Sequence, residues 1–249
     1  SLLMRLFDEL KDAETDMTLF PDRPLPSGRV RLSDLQGLAW GIGAVMVAIN
    51  GWMGASAIAG FSLMLIYGLL TFRYFFVPHL HQDNLLLTVA THNPVVVFCN
   101  LYVFSVFLAD QGQPFQAPPA WVWAAIVMYW LPVLAWEFSR KIKAPQDENT
   151  YITYSRVLGP RRAAVVPMVA LLVSAAVASA FALRLDLSPL AIAAMAAATA
   201  YAMFGYFRFL GAVTTAHARL KPFAEAFSLG LYLALLGGLV ARYGVAWGG

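Results

Sequence analysis

Apolar residues run along this chain in seven long blocks, at about 35–52, 54–71, 85–109, 119–136, 163–183, 187–207 and 223–247. Each is close to the ~20 residues with which a helix crosses roughly 30 Å of hydrocarbon. Residues 1–10, opening with SLLMRLF, read as the end of one more such helix, so further sequence is expected upstream. The connections alternate in length. Those from Gly51 to Gly54 and from Arg184 to Asp186 are very short, whereas those at 8–34, 72–84, 137–162 and 208–222 are long. This alternation sorts the loops between two sides of a membrane. The blocks at 163–183 and 187–207 are rich in alanine, which lets membrane helices pack closely, and are expected to be scaffold. The two long charged loops, 8–34 and 137–162, stand where a weak internal repeat would place them. The predicted architecture is all-α: a polytopic transmembrane bundle forming one domain over 1–249, with seven full segments and the end of an eighth.

Composition explains why the bundle belongs in a bilayer. The chain is 60% hydrophobic and only 12% charged, against about 25% charged in a soluble domain. With a mean hydropathy of +0.65 it cannot cover a globule with polar surface. The net charge of +3 does not indicate nucleic-acid binding, because the basic residues form no stripe. The single cysteine, Cys99, excludes an internal disulfide framework and a cysteine-based zinc site. Fourteen of the 17 Lys and Arg residues lie in the four long loops, and the opposite side carries Arg184 and Arg242. Positive charge marks the cytoplasmic side, so the long loops are expected there, at the inner or plasma membrane if the source is bacterial. The acids follow them, Asp110 and Asp186 excepted.

Chemistry concentrates in DELKDAETDMTLFPDRPLPSG, residues 8–28. Asp8, Glu9, Asp12, Glu14 and Asp16 fall within nine residues. On a helix, Asp8, Asp12 and Asp16 share a face, with Glu9 beside Asp12. Like charges so placed repel by roughly 0.2–0.5 kcal/mol per pair, and Lys11 offsets only part of this. Such a row is either a solvated charged helix end or a site for a hard cation; Mg²⁺ takes one or two carboxylates and completes its shell with water and phosphate oxygens. The prolines and glycine of 21–28 then fix a loop, and Arg23, Arg29 and Arg31 follow the acids closely. Acids for Mg²⁺ and arginines for phosphate oxygens are the two parts of a diphosphate site.

DExxDxxxD followed by RPLPSGRV resembles the first aspartate-rich motif of the UbiA superfamily of intramembrane prenyltransferases, NDxxDxxxD followed by RPLxxG. The likeness is strong across residues 8–30, and the layout of segments supports it over the whole chain. It implies a bundle of nine transmembrane helices with this motif between the second and third, so the first helix and most of the second would lie upstream. Asp8, Glu9, Asp12 and Asp16 then become Mg²⁺ ligands, with Asp12 and Asp16 central to catalysis and Arg23 on the diphosphate. The superfamily's second motif corresponds to WEFSRKIKAPQDENTYITYSRVLGPRR, residues 136–162, and here the chain departs from it. Glu137 takes the first acidic place, as catalytic residue and metal ligand, but Lys141 stands where the next Asp is expected. Asp147, a further expected ligand, and Glu148 come later. Arg140, Lys141 and Lys143 are expected to contact the diphosphate, and Arg73 in loop 72–84 matches a place where family members carry basic residues.

Other polar groups carry less specific signals. His79, His81 and Asp83 form either a loose metal pattern or the polar exit of a helix from the membrane. His92, Asn93 and Asn100 sit in an apolar block; the two asparagines share a face and either line a cavity or bond a neighbouring helix. Pro94 is expected to kink that block. Trp121, Trp123 and Trp247 suit interfacial belts, while Tyr74, Tyr151, Tyr154 and Phe204 are candidates to wall the cavity and face an allylic cation. The resemblance therefore implies a Mg²⁺-dependent prenyltransferase whose partners are an isoprenoid diphosphate, a hydrophobic acceptor, typically aromatic, and membrane lipids, with no protein partner inferred. The alternatives are a membrane terpene cyclase of the same superfamily and a non-catalytic lipid-diphosphate carrier.

Overall fold

The computed structural model describes residues 2–11, 13, 16–17, 20–82, 84–149 and 151–245, and no strand occurs among them. In chain order α1 is Leu2–Lys11, α2 Leu32–Met53, α3 Ala55–Phe72, α4 Pro78–Gln82, α5 Leu85–His92 and α6 Val95–Asp110. Then come α7 at Ala120–Ser139, α8 at Tyr154–Leu158, α9 at Pro160–Arg184, α10 at Pro189–Gly211 and α11 at Lys221–Tyr243. Among the described residues seven spans are long and apolar enough to cross a membrane: α2, α3, α5 with α6, α7, α9, α10 and α11. They match the seven apolar blocks, and the protein is an integral, multi-pass membrane protein. Its outward faces are correspondingly apolar, with Trp40, Trp52 and Leu190 at least 80% exposed.

Local chemistry sets the helix ends. The Asp34 carboxylate accepts the Arg31 N–H at 3.3 Å at the start of α2. Asn84 Oδ1 accepts from Leu87 N–H, Thr153 Oγ1 from Arg156 N–H and Ser188 Oγ from Ala191 N–H, which caps α5, α8 and α10. Pro160 and Pro189 occupy first-turn positions, where the missing N–H is not needed.

The chain, one domain by resemblance, groups into two compact units, Ser1–Pro118 and Pro119–Gly249. In the first, α3 packs on α6 and α2, and α1 packs on α2 and α3. Leu3 and Leu6 of α1 bury against Ala39, and Phe7 meets Phe72 with ring centroids 5.5 Å apart. The C-terminal end of α1 therefore lies at the end of α3. Gly60 lets α3 approach α6 closely: a Cβ there would lie 1.9 Å from Ser105 Oγ. The expected kink separates α5 from α6 at Asn93–Pro94. The Tyr67 hydroxyl of α3 donates to the Thr91 carbonyl beside the break, at 2.8 Å.

In the second unit α9 packs on α7, α8, α10 and α11. Alanines 163, 164, 170, 178 and 182 of α9 are buried, as the scaffold expectation requires. Pro132 sits inside α7 and cannot donate to the carbonyl four residues back. The buried Ser174 hydroxyl of α9 reaches across to that carbonyl, Met128 O, at 2.8 Å. Tyr206 and Ser139 are buried and bond at 2.6 Å. Ser139 already donates to Ala135 O, so the phenol is the donor.

Candidate functional site

The first acidic run is seen in part. Asp12 and Glu14 lie outside the described residues, as does the side chain of Asp8. Glu9, on α1, forms an ion pair with Arg5 one turn earlier. Asp16 is 5% exposed, and Arg23 Nη1 donates to its Oδ2 at 2.5 Å. Arg23 reaches back from the proline loop and also lies over the Phe20 ring, 4.2 Å from its centroid. Its side chain remains 48% exposed. Arg29 holds the same loop together through Ser27 Oγ and the Asp22 carbonyl. Arg73 ends α3, its guanidinium 5.6 Å over the Phe72 ring. Because Phe72 meets Phe7, Arg73 and the acidic end of α1 occupy the same end of this unit.

The segment after Arg73 is strained. Tyr74, Phe75 and Phe76 adopt φ of 48°, 51° and 63°, a left-handed run that costs a side chain roughly 1–2 kcal/mol per residue. The Tyr74 and Phe75 rings pack around His81 and His92. His81 is buried, bonded to Val77 O and Thr91 Oγ1 at 3.1 Å each. It is a packed core histidine here rather than a polar exit from the membrane, while Asp83 lies outside the described residues. Asn100 donates to Val96 O of its own helix at 2.8 Å, and Asn93 ends α5.

In the second unit Glu137, near the end of α7, is the hub. Arg140 Nε donates to its Oε2 at 2.6 Å, and Lys141 Nζ lies 3.2 Å from Oε1. The Tyr154 hydroxyl approaches Oε1 at 3.5 Å. Tyr154 is fully buried, its ring stacked on Phe138 at 4.0 Å. Burial and the negative Glu137 push its phenol far above the ordinary range, so it stays protonated and donates. Burial alone would lower Arg140, but the hydrogen bond to Glu137 and its charge outweigh this and raise it. Asp147 accepts from Thr215 Oγ1 at 3.0 Å. Glu148 accepts from Thr153 and Ser155, Ser155 at 2.6 Å. Lys143 is anchored through its backbone N–H to Ser155 Oγ at 2.8 Å. Beside this loop a groove of about 370 Å³ between α7 and α11 is lined by Pro132, Val133, Trp136, Glu225, Ser228, Leu229 and Tyr232. Trp136 Nε1 donates to Glu225 at 2.9 Å.

Among the described residues no three His, Cys, Asp or Glu side chains group to hold a metal. The donors of the first run are nevertheless carboxylate oxygens, the kind a hard cation takes. Asp16 is a buried member of that set, and the Arg23 side chain that pairs with it is half exposed. Thr215, Thr153 and Ser155, the partners of the second loop's acids, were not singled out from sequence. Only Thr153 carried a readable signal there, as a cap ahead of YSRVL.

No family model matches the chain, and no curated protein matches it. Among solved structures it is similar to a digeranylgeranylglyceryl phosphate synthase studied in membranes, with a TM-score of 0.65 and 12% sequence identity. The match covers 96% of this chain and 81% of that chain. The likeness is one of fold.

Proposed function

We propose that this protein is a Mg²⁺-dependent intramembrane prenyltransferase, which ionises an isoprenoid diphosphate and passes the prenyl group to a hydrophobic acceptor. The observation that carries the reading is the buried Asp16 carboxylate paired with a half-exposed Arg23 at the end of an acidic run. The motif resemblance at 8–30 and the likeness of fold to a membrane synthase support it. Asp8, Glu9, Asp12 and Asp16 would hold Mg²⁺, which when bound supplies Lewis-acid stabilisation of the departing diphosphate. Arg23 swings from Asp16 onto diphosphate oxygens, and Arg73 brings a second cation to the same end of the unit. The carbon–oxygen bond breaks with its electron pair leaving on the diphosphate. The allylic cation that remains is sheltered by apolar helices that exclude water. The acceptor's electron pair then forms the new bond and the acceptor loses a proton. The lysine and arginine bias of the long loops supports a cytoplasmic site.

The test is pyrophosphate release by the purified protein with Mg²⁺ and geranyl, farnesyl or geranylgeranyl diphosphate. Asp16→Asn should lower it by about 10²–10³-fold, the scale for losing one charge-stabilising group. Release that survives both Asp12→Asn and Asp16→Asn would sink the assignment. A cyclic product formed without acceptor would identify a terpene cyclase instead, and binding without turnover a carrier.

A further inference from the structure

We propose that the loop after α7 is a metal-independent oxyanion site, in which Arg140, Lys141 and Lys143 grip a diphosphate group directly and Glu137 positions these cations instead of ligating a metal. For the identity of its ligand the proposal rests on the prenyl-diphosphate reading. It adds that this loop holds no metal of its own.

Charge is the first argument. Residues 137–143, EFSRKIK, carry one acid and three cations. A divalent cation brought there meets net repulsion, and a diphosphate meets net attraction. The run at 8–16 has the opposite balance, five acids against Lys11. Geometry is the second. Both Glu137 oxygens are engaged, Oε2 by Arg140 at 2.6 Å and Oε1 by Lys141 at 3.2 Å. The Tyr154 hydroxyl closes on Oε1 from a fully buried position. The loop's two other acids are turned elsewhere, Asp147 to Thr215 and Glu148 to Thr153 and Ser155. None of the three is offered to a shared ion.

The cations keep donors to give. Arg140 meets Glu137 through Nε, which leaves the N–H groups of its terminal nitrogens for a bidentate grip on phosphate. Lys141 directs one N–H at Glu137 and has two more. Lys143 Nζ has no partner among the described residues, and its backbone is fixed to Ser155. Aromatic faces steady the set: Trp136 lies 5.2 Å from Arg140, and the Tyr151 and Tyr154 rings lie 5.8 and 5.9 Å from Lys141. The charges are thus held in place before any ligand arrives.

The experiment is calorimetric binding of inorganic pyrophosphate to the full chain in detergent with EDTA, paired with Mn²⁺ counting by electron paramagnetic resonance. Pyrophosphate should bind without metal. Arg140→Met and Lys141→Met should each weaken it about tenfold or more, the loss of one charge-assisted contact, while Lys141→Arg retains it. Orthophosphate should bind about tenfold more weakly, having lost the second phosphate's contacts. The Mn²⁺ count with pyrophosphate should be unchanged in Glu137→Gln. Pyrophosphate binding that requires metal, equal binding of orthophosphate, indifference to both methionine variants, or loss of one Mn²⁺ in Glu137→Gln would each overturn the proposal. Turnover is not needed for any of these, so failure here is separable from failure of the prenyl-transfer reading, which pyrophosphate release decides.

Discussion

Alanine at Gly60 probes the contact between α3 and α6 that holds the first unit together. The new Cβ would lie 1.9 Å from Ser105 Oγ and 2.4 Å from Ser105 Cβ. The hydroxyl can rotate away, but the Cβ is fixed to the α6 backbone. Carbon atoms settle about 3.5–4.0 Å apart, so the helices must part by about 1 Å. Overpacking of this kind costs roughly 1–3 kcal/mol. Alanine returns up to ~1 kcal/mol of helix propensity over glycine, which leaves a net loss of about 1–2 kcal/mol. Ser105→Gly removes both offending atoms, and the next neighbour, Tyr102 Cα, stands at 3.4 Å. Alone that change costs only ~0.5 kcal/mol of propensity. The double variant should therefore recover most of the loss, with a coupling of about 1 kcal/mol or more. Reversible unfolding of the four proteins in detergent measures it. A neutral Gly60→Ala, or strictly additive effects, would refute the close approach of these helices.

Three further outcomes follow from the same geometry. Asp16→Asn should leave the melting temperature nearly unchanged while lowering turnover by about 10²–10³-fold, because the arginine it abandons is half exposed and finds water; a collapse of both would make Asp16 structural. Ser174→Ala should cost about 1–3 kcal/mol by leaving Met128 O buried and unpaired, and adding Pro132→Ala should restore much of it by supplying a helical N–H, as parallel unfolding curves would reveal. The Tyr154 phenol ionises above its ordinary 10.0 in the folded chain, so its contribution is complete below pH 10. As pH rises beyond 10 the unfolded chain loses this proton first, and stability falls by up to ~1.4 kcal/mol per pH unit. Tyr154→Phe should flatten that decline, and an unchanged slope would refute the assignment.

The spans were legible because a bilayer imposes length and apolarity together. Run 54–71 became Ala55–Phe72 and run 85–109 became Leu85–Asp110 with its break at Pro94. Ends were less legible where helix chemistry outlasts apolarity. α9 begins at Pro160 with two arginines before the apolar run, and α11 stops at Tyr243, where Gly244 takes φ of 72°. The acidic run and its arginine loop announced themselves by charge and spacing. What could not be read was pairing across distance. Asp147 finds Thr215, 68 residues on, and His81 turns inward on Thr91; neither choice leaves a period or a local motif in the chain. The left-handed run at Tyr74–Phe76 was equally hidden, since no glycine marks it.

The order of spans has a consequence that does not depend on any side chain. In the first unit two crossings, α2 and α3, separate the acidic run from the loop that begins at Arg73, and in the second two crossings, α9 and α10, separate Glu137 from Thr215. An even number of crossings returns a chain to the leaflet it left, whichever leaflet that was. A molecule inserted upside down would keep each of these pairs intact and merely present it to the other compartment. Reconstituted at random into sealed liposomes, such a protein would show part of its capacity only once the vesicles were opened, as latency rather than as inactive molecules.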